Sequence, residues 1–337
     1  MELLSLAAVT IALVLAFEFV NGFHDSANSI ATIVATKVLT PIAAVSLAAV
    51  FNFAGIVVGQ EVAKTIGKGI IDTNLVWEYG VMLVFCAVVG AIIWDLITWW
   101  FGIPTSSSHA LVGGLIGAGV AGAGIGAIVW TGTLKTASFI VISPTVGLVT
   151  GFALVIVVMW VARKITRTIV NKWFRKLQLA SSAFFSFTHG TNDAQKGMGV
   201  IALLLLLNAN PDAPTAEFFV PLWVMVACHA AISLGTFFGG WRIVKTMATR
   251  LTHLDPYQGF CAETGAAAML FLTAKMGIPV STTHTISGSI MGVGATRRLS
   301  AVRWGIGRRI VIAWILTIPA AATISGSLFL LLRGLGF

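Results

Sequence analysis

The chain has 337 residues, of which 57% belong to the apolar set and only 10% are Asp, Glu, Lys or Arg, against about 25% charged in an average soluble domain; its mean hydropathy is +0.95. A soluble fold of this length cannot hide that much apolar surface. Composition therefore excludes an ordinary cytosolic enzyme, a disordered chain and a nucleic-acid-binding protein, and predicts an all-α polytopic membrane protein whose solvent is the lipid bilayer. The formal charge of +9 then reads as topology, because cytoplasmic loops collect Lys and Arg.

A bilayer-spanning helix needs ~20 apolar residues. In chain order, the apolar runs predict segments at 3–32, 42–58, 80–101, 104–122, 139–162, 180–207, 219–239, 261–278, 279–296 and 310–334. Two pairs, 80–101/104–122 and 261–278/279–296, are each joined at Gly-Ile-Pro, and each pair is either two full spans or a re-entrant hairpin. Residues 163–178 carry Arg163, Lys164, Arg167, Lys172, Arg175 and Lys176 and no acid, which predicts a basic cytoplasmic loop linking two halves, 1–162 and 179–337. Working outward from it, Lys37, the group Arg242, Lys245 and Arg250, and the run from Arg297 to Arg309 fall on the same side. That places 15 of the 21 basic residues there and both termini outside. Glu2 and the lack of an early basic cluster predict that there is no cleaved signal peptide. Cys86, Cys228 and Cys261 sit in apolar runs without the paired spacing of a zinc or redox site, so they read as packing residues. No cofactor motif stands out.

The sequence repeats itself. Residues 102–119, GIPTSSSHALVGGLIGAG, and 277–294, GIPVSTTHTISGSIMGVG, are identical at eight of 18 positions. Upstream, GFHDSANSIAT at 22–32 and GTNDAQKGMGV at 190–200 share Gly22/Gly190 and Asp25/Asp193 in the same order. With five segments per half, the second copy is turned over in the membrane. Inverted repeats are a recurrent transporter design, with substrate and ions at broken helices near the midplane.

Asp25 and Asp193 lie inside apolar segments, where ionisable groups are costly and usually face a cavity or a partner. Asn28 and Lys196 follow them by three residues, on the same helical face. The runs Ser106-Ser107-Ser108 and Ser281-Thr282-Thr283 follow Pro104 and Pro279 and suit buried helix starts, whose free N–H groups and hydroxyls can hold an oxyanion. His24, His109, His189 and His284 accompany these motifs as structural groups or proton carriers. Glu263 reads as an ion ligand or gate; Glu18 and Asp95 read as structural pairing or interfacial groups.

Together, GFHDSANSIAT, THGTNDAQKGMG, GIPTSSSH and GIPVSTTH resemble the inorganic phosphate transporter family, over nearly the whole chain. His24 (Asn in many members), Lys196 (Asn in eukaryotic ones) and the short central segment are similar to the prokaryotic branch. The resemblance implies uptake of inorganic phosphate coupled to Na⁺ or H⁺, two helical hairpins, a homodimer in the cell membrane and no enzymatic activity. By position it carries over Asp25, Asn28, Asp193 and Lys196 from the helix motifs and Ser106, Ser107, Thr282 and Thr283 from the hairpin tips; the phosphate candidates are then Ser106, Ser107, Ser281, Thr282, Thr283, Asn28, Lys196 and Asn192. Asp25, Asp193, Asn28, Gln195, Glu263 and Ser106 are the cation candidates, with Na⁺ at Asp25 and Asp193. A sulfate or other oxyanion permease of the same fold and an anion channel are the alternatives. The Ser106/His109 pair at i,i+3 invites a hydrolase reading, which the duplication of the motif opposes. The basic segment 163–178 is a plausible contact for a cytosolic regulatory protein.

Overall fold

The computed structural model describes residues 2–209 and 218–336; residue 1, residues 210–217 and residue 337 of the two predicted halves lie outside the described residues. The described chain is α-helical, with one isolated bridge between Ile71 and Ile128 and no strand. In order it forms α1 (Glu2–Ala35), α2 (Pro41–Ala54), α3 (Glu61–Lys68), α4 (Gly80–Trp100), α5 (Ser107–Ala123) and α6 (Trp130–Val161). Then come α7 (Arg167–Ala209), α8 (Leu222–Phe238), α9 (Trp241–Lys245), α10 (Pro256–Lys275), α11 (Thr282–Ala295) and α12 (Trp304–Gly334). A π-helical turn, Thr246–Arg250, continues α9.

Four of the described helical stretches are long and apolar enough to cross a membrane: Leu6–Ala35, Trp77–Trp100, Trp130–Lys164 and Trp304–Gly334. Two bent pairs, α2/α3 at 81° and α8/α9 at 58°, raise the number to six if each is one broken span. The helices α5 and α11, of 17 and 14 residues, extend only ~26 and ~21 Å at 1.5 Å per residue. Both fall short of the ~30 Å hydrocarbon core, whereas α4, the other arm of the first hairpin, is long enough to cross it.

One expectation needs correcting. The basic segment 163–178 is not a loop: the turn closes within a few residues and α7 starts at Arg167, running for 43 residues. Between residues 163 and 189 there is no Gly or Pro, so nothing stops the helix, and Lys, Arg, Leu and Gln favour it. Hydropathy sees only the apolar part of such a helix. For the same reason α6, α10 and α12 begin several residues before the predicted 139, 261 and 310.

Contacts recur between the two halves. Gly102 and Gly277, equivalent in the sequence repeat, both have φ +64, a region costly for any side chain with a Cβ. The carbonyl of Gly277 accepts from Thr65 of α3 at 2.6 Å, and that of Gly102 accepts from Thr246, just past α9, at 2.8 Å. Ser106 caps α5 by accepting from the His109 N–H at 3.3 Å, and Ser281 caps α11 from His284 at 3.2 Å. Pro144 and Pro319 lie inside α6 and α12, the helices against which α11 and α5 pack. Gly22 of α1 lies on the carbonyl of Ile232 in α8, and Gly190 of α7 on that of Asn52 in α2. Small residues at such crossings let membrane helices touch backbone to backbone.

The buried apolar side chains form two separate clusters. One includes Phe17, Leu83, Leu111, Met198 and Phe329; the other includes Ile30, Phe185, Met247, Leu270 and Trp314. Between them runs a buried polar layer, carried by residues 18–29 of α1, 186–196 of α7 and the starts of α5 and α11. The candidate site lies in this layer.

Candidate functional site

Asp25 is held on α1 beside His24, whose Nδ1 lies 2.9 Å from Asp25 Oδ1. The other ring nitrogen of His24 lies 3.1 Å from the Thr98 hydroxyl of α4. Asp193, on α7, is paired with a lysine. Lys196 Nζ stands 3.0 Å from Oδ1, and His189 Nε2 stands 3.3 Å from Oδ2, each one helical turn away. One ligand atom from each of Asp25, His189 and Asp193 lie within 4.8 Å of one another.

The start of α11 closes the cluster. Thr282 Oγ1 lies 3.1 Å from Asp193 Oδ2 and 3.4 Å from Asp25 Oδ2, and Thr283 Oγ1 lies 3.3 Å from Asp25 Oδ1. Asn28 donates to both hydroxyls, at 3.2 and 2.9 Å. The two aspartates, Asn28, Lys196 and the Thr282–Thr283 pair thus come together, although up to 258 positions separate them in the chain. The hairpins also meet: the His109 and His284 rings are 4.8 Å apart, and His284 stacks on Trp314.

The other candidates fall in different places. Ser106 and Ser281 are spent as helix caps. Ser107 is buried with a hydroxyl that has no protein partner, and so is the whole side-chain amide of Asn192. Gln195 accepts from the Val62 and Ala63 N–H groups at 2.9 and 3.2 Å, capping α3 rather than facing the aspartates. Glu263 forms a second centre, reached by Thr32 at 2.6 Å, Gln178 at 3.1 Å and Ser181. Glu18 accepts from the Gly197 N–H at 2.7 Å and so ties α1 to α7. Asp95 is fully buried, not interfacial, and the three cysteines are buried and free.

Several contributors escaped the sequence reading. Thr32, Gln178 and Ser181 around Glu263 are single polar residues in apolar or basic stretches. Thr32 had one signal: it lies four residues after Asn28, on the same helical face. Asn52, which meets His189 at 3.1 Å and Thr236 at 2.8 Å, had none.

Chemically, the layer is a set of oxygen donors with a charge deficit. Among the described residues, five carboxyl side chains are buried, Glu18, Asp25, Asp95, Asp193 and Glu263, against a single buried lysine or arginine, Lys196, and five histidines, of which His24 and His189 touch the aspartates. Carboxylate and hydroxyl oxygens suit hard cations. The α11 N-terminus with its hydroxyls suits an anion.

Comparison with known proteins agrees with this chemistry. Residues 21–325 match the Phosphate transporter family. A probable low-affinity inorganic phosphate transporter of Rhizobium meliloti (strain 1021) is 55% identical over 94% of this chain and 93% of its own length. One from Bacillus subtilis (strain 168) is 42% identical over 98% of both. A solved structure, the sodium-dependent phosphate transporter, matches with a TM-score of 0.90 at 25% identity, covering 98% of this chain and 99% of that one. These relatives are transporters, not enzymes, and with its apolar helices the chain is an integral membrane protein that belongs to the phosphate transporter family.

Proposed function

We propose that the protein is a secondary active symporter that carries inorganic phosphate together with Na⁺, at a midplane site between two inverted repeats, 1–162 and 179–337. The observation that carries this reading is the meeting of Asp25 and Asp193 with the N-terminus of α11, with Lys196 as the nearby buried cation. With all three charged, the site sums to −1, and HPO₄²⁻ brings it to −3. An uncompensated charge of that size is very costly in a low-dielectric interior. Two or three cations must therefore enter with the anion, and each ligand raises the other's affinity.

In this reading, Thr282, Thr283, Asn28, Lys196, Ser107 and Asn192 receive phosphate, with the helix starts behind Ser106 and Ser281. Asp25 and Asp193 receive Na⁺, and Glu263 with Thr32, Gln178 and Ser181 forms a further cation site. The name of the sodium-dependent structural neighbour favours Na⁺ over H⁺, and the carboxylate and hydroxyl oxygens of both centres can ligate it. The recurring hairpin-tip contacts, Thr65 with Gly277 and Thr246 with Gly102, support a pair of related halves able to exchange access. Alternating access follows from one hairpin moving against the other half. The basic residues orient the chain in the cell membrane with 163–178 in the cytoplasm and both termini outside, and a homodimer is its assembly.

The test is phosphate uptake into proteoliposomes, under an inward Na⁺ gradient at fixed pH and then under an inward H⁺ gradient without Na⁺, with sulfate as competitor. Accumulation that needs Na⁺ and ignores sulfate is the expected result. Accumulation driven by H⁺ alone transfers the coupling to protons, and strong inhibition by sulfate overturns the substrate.

A further inference from the structure

Outside the polar layer, the elbow between α6 and α7 gathers groups that transport does not use. A cavity of about 310 Å³ opens there, lined by Arg163, Arg167, Asn171, Asp255 and Tyr257. Next to it runs an apolar groove of about 280 Å³ along Val157, Val161, Ile169, Trp173 and Phe174. The two share Val158, Ala162, Ile165 and Val170 as a common wall, so a basic mouth passes directly into an apolar channel. We propose that this elbow binds one anionic phospholipid, its phosphate at Arg163 and Arg167 and one acyl chain in the groove.

Three observations select this occupant. First, the elbow sits at the membrane boundary. Trp160 and Trp173 are 64% and 61% exposed, as aromatic side chains are at the headgroup level. The Arg163 guanidinium lies over the Trp160 ring at 5.0 Å, and Lys176 lies over Trp173 at 5.7 Å. Second, the charge is one-sided. Residues 163–178 contain no acid, and the one carboxylate in the cavity, Asp255, is already held by Arg297. Basic pockets between membrane helices on one face are suited to anionic headgroups. Third, the apolar groove has no role for a soluble anion, and a second copy of this chain would bring the same positive face and be repelled.

The detergent-solubilised full-length protein, titrated with phosphatidylglycerol or phosphatidylcholine of the same acyl chains, tests this by native mass spectrometry. The expected result is one retained phosphatidylglycerol, little phosphatidylcholine, and no displacement by soluble glycerol 3-phosphate. The double variant Arg163→Gln/Arg167→Gln should retain phosphatidylglycerol about thirtyfold more weakly, two basic contacts at a lipid surface being lost. The control Lys164→Gln/Lys172→Gln removes equal charge from side chains that line neither the cavity nor the groove and should retain it. Lipid-free melting temperatures establish that both variants fold. Equal retention of the two lipids, displacement by glycerol 3-phosphate, or equal loss in the two variants overturns the proposal.

Discussion

Asp193 and its sequence-repeat counterpart Asp25 each meet three side chains, but of different kinds. Asp193 faces Lys196, His189 and Thr282, whereas Asp25 is reached by His24 on its own helix and by the two α11 hydroxyls. Removing one member of a buried pair costs ~3–5 kcal/mol, because the other is left uncompensated. Asp193→Asn strands Lys196 and should abolish measurable uptake, with a loss of at least ~10²-fold. Asp25→Asn strands no lysine or arginine, only the His24 partner on its own helix, and should act through lost Na⁺ binding, so higher Na⁺ should rescue it in part. Initial rates against Na⁺ concentration separate the two, and full transport by both variants would falsify the assignment. Lys196→Gln works in the opposite sense. It leaves two carboxylates facing the anion, so the phosphate KM should rise by about tenfold or more, while the number of Na⁺ ions needed per phosphate increases. An unchanged Na⁺ dependence would remove Lys196 from the charge balance.

Helix α3 and the π-helical turn after α9 are short, yet each holds a hairpin tip. Thr65 and Thr246 donate to the tip carbonyls of Gly277 and Gly102, and one such bond is worth ~1 kcal/mol net. Thr65→Val and Thr246→Val should lower stability by similar amounts and shift the balance of outward- and inward-facing states in opposite directions. Cysteine accessibility on the two faces reads that shift, and a shift in the same direction for both would argue against inverted halves. Glycine contacts are less forgiving. A Cβ on Gly22 would stand 2.0 Å from the Ile232 carbonyl oxygen, and one on Gly190 would stand 2.2 Å from that of Asn52. Overpacking of this kind costs ~1–3 kcal/mol, so Gly22→Ala and Gly190→Ala should each lower the melting temperature measurably. These contacts also explain what was legible in the sequence. The hairpins and aspartate motifs were readable because the chain writes them twice, with Pro and Gly marking the breaks. The first turns of α7 were not, because a basic helix outside the apolar core resembles a loop to hydropathy. The bends after α2 and α8 fall at Gly59 and Gly239, which have positive φ, whereas the capping role of Gln195 depends on α3, a partner more than 120 residues away in the chain.

Over the whole molecule, buried acidic groups outnumber buried lysines and arginines. Five buried carboxylates face one lysine among the described residues, and the polar layer that holds most of them separates two apolar clusters. Helices α1 and α7 cross this layer, so an ion bound in it acts on the packing of both halves. A cation that binds there stabilises the folded state by RT ln(1 + [L]/Kd), ~2.7 kcal/mol at a hundred times Kd. Na⁺ should therefore raise the melting temperature of the purified protein, and K⁺ at equal ionic strength should do so much less, since bulk screening treats the two alike. Phosphate alone should stabilise weakly, as it adds negative charge to a negative layer. Phosphate in the presence of Na⁺ should stabilise by more than the sum of the separate effects. The excess is the coupling free energy, and by linkage it must equal the gain in Na⁺ affinity produced by phosphate. Thermal melts over a matrix of Na⁺ and phosphate concentrations measure both sides of that equality. Additive shifts, or equal stabilisation by K⁺, would mean that the two ligands do not share the layer between the clusters, and the charge argument for symport would fall with them.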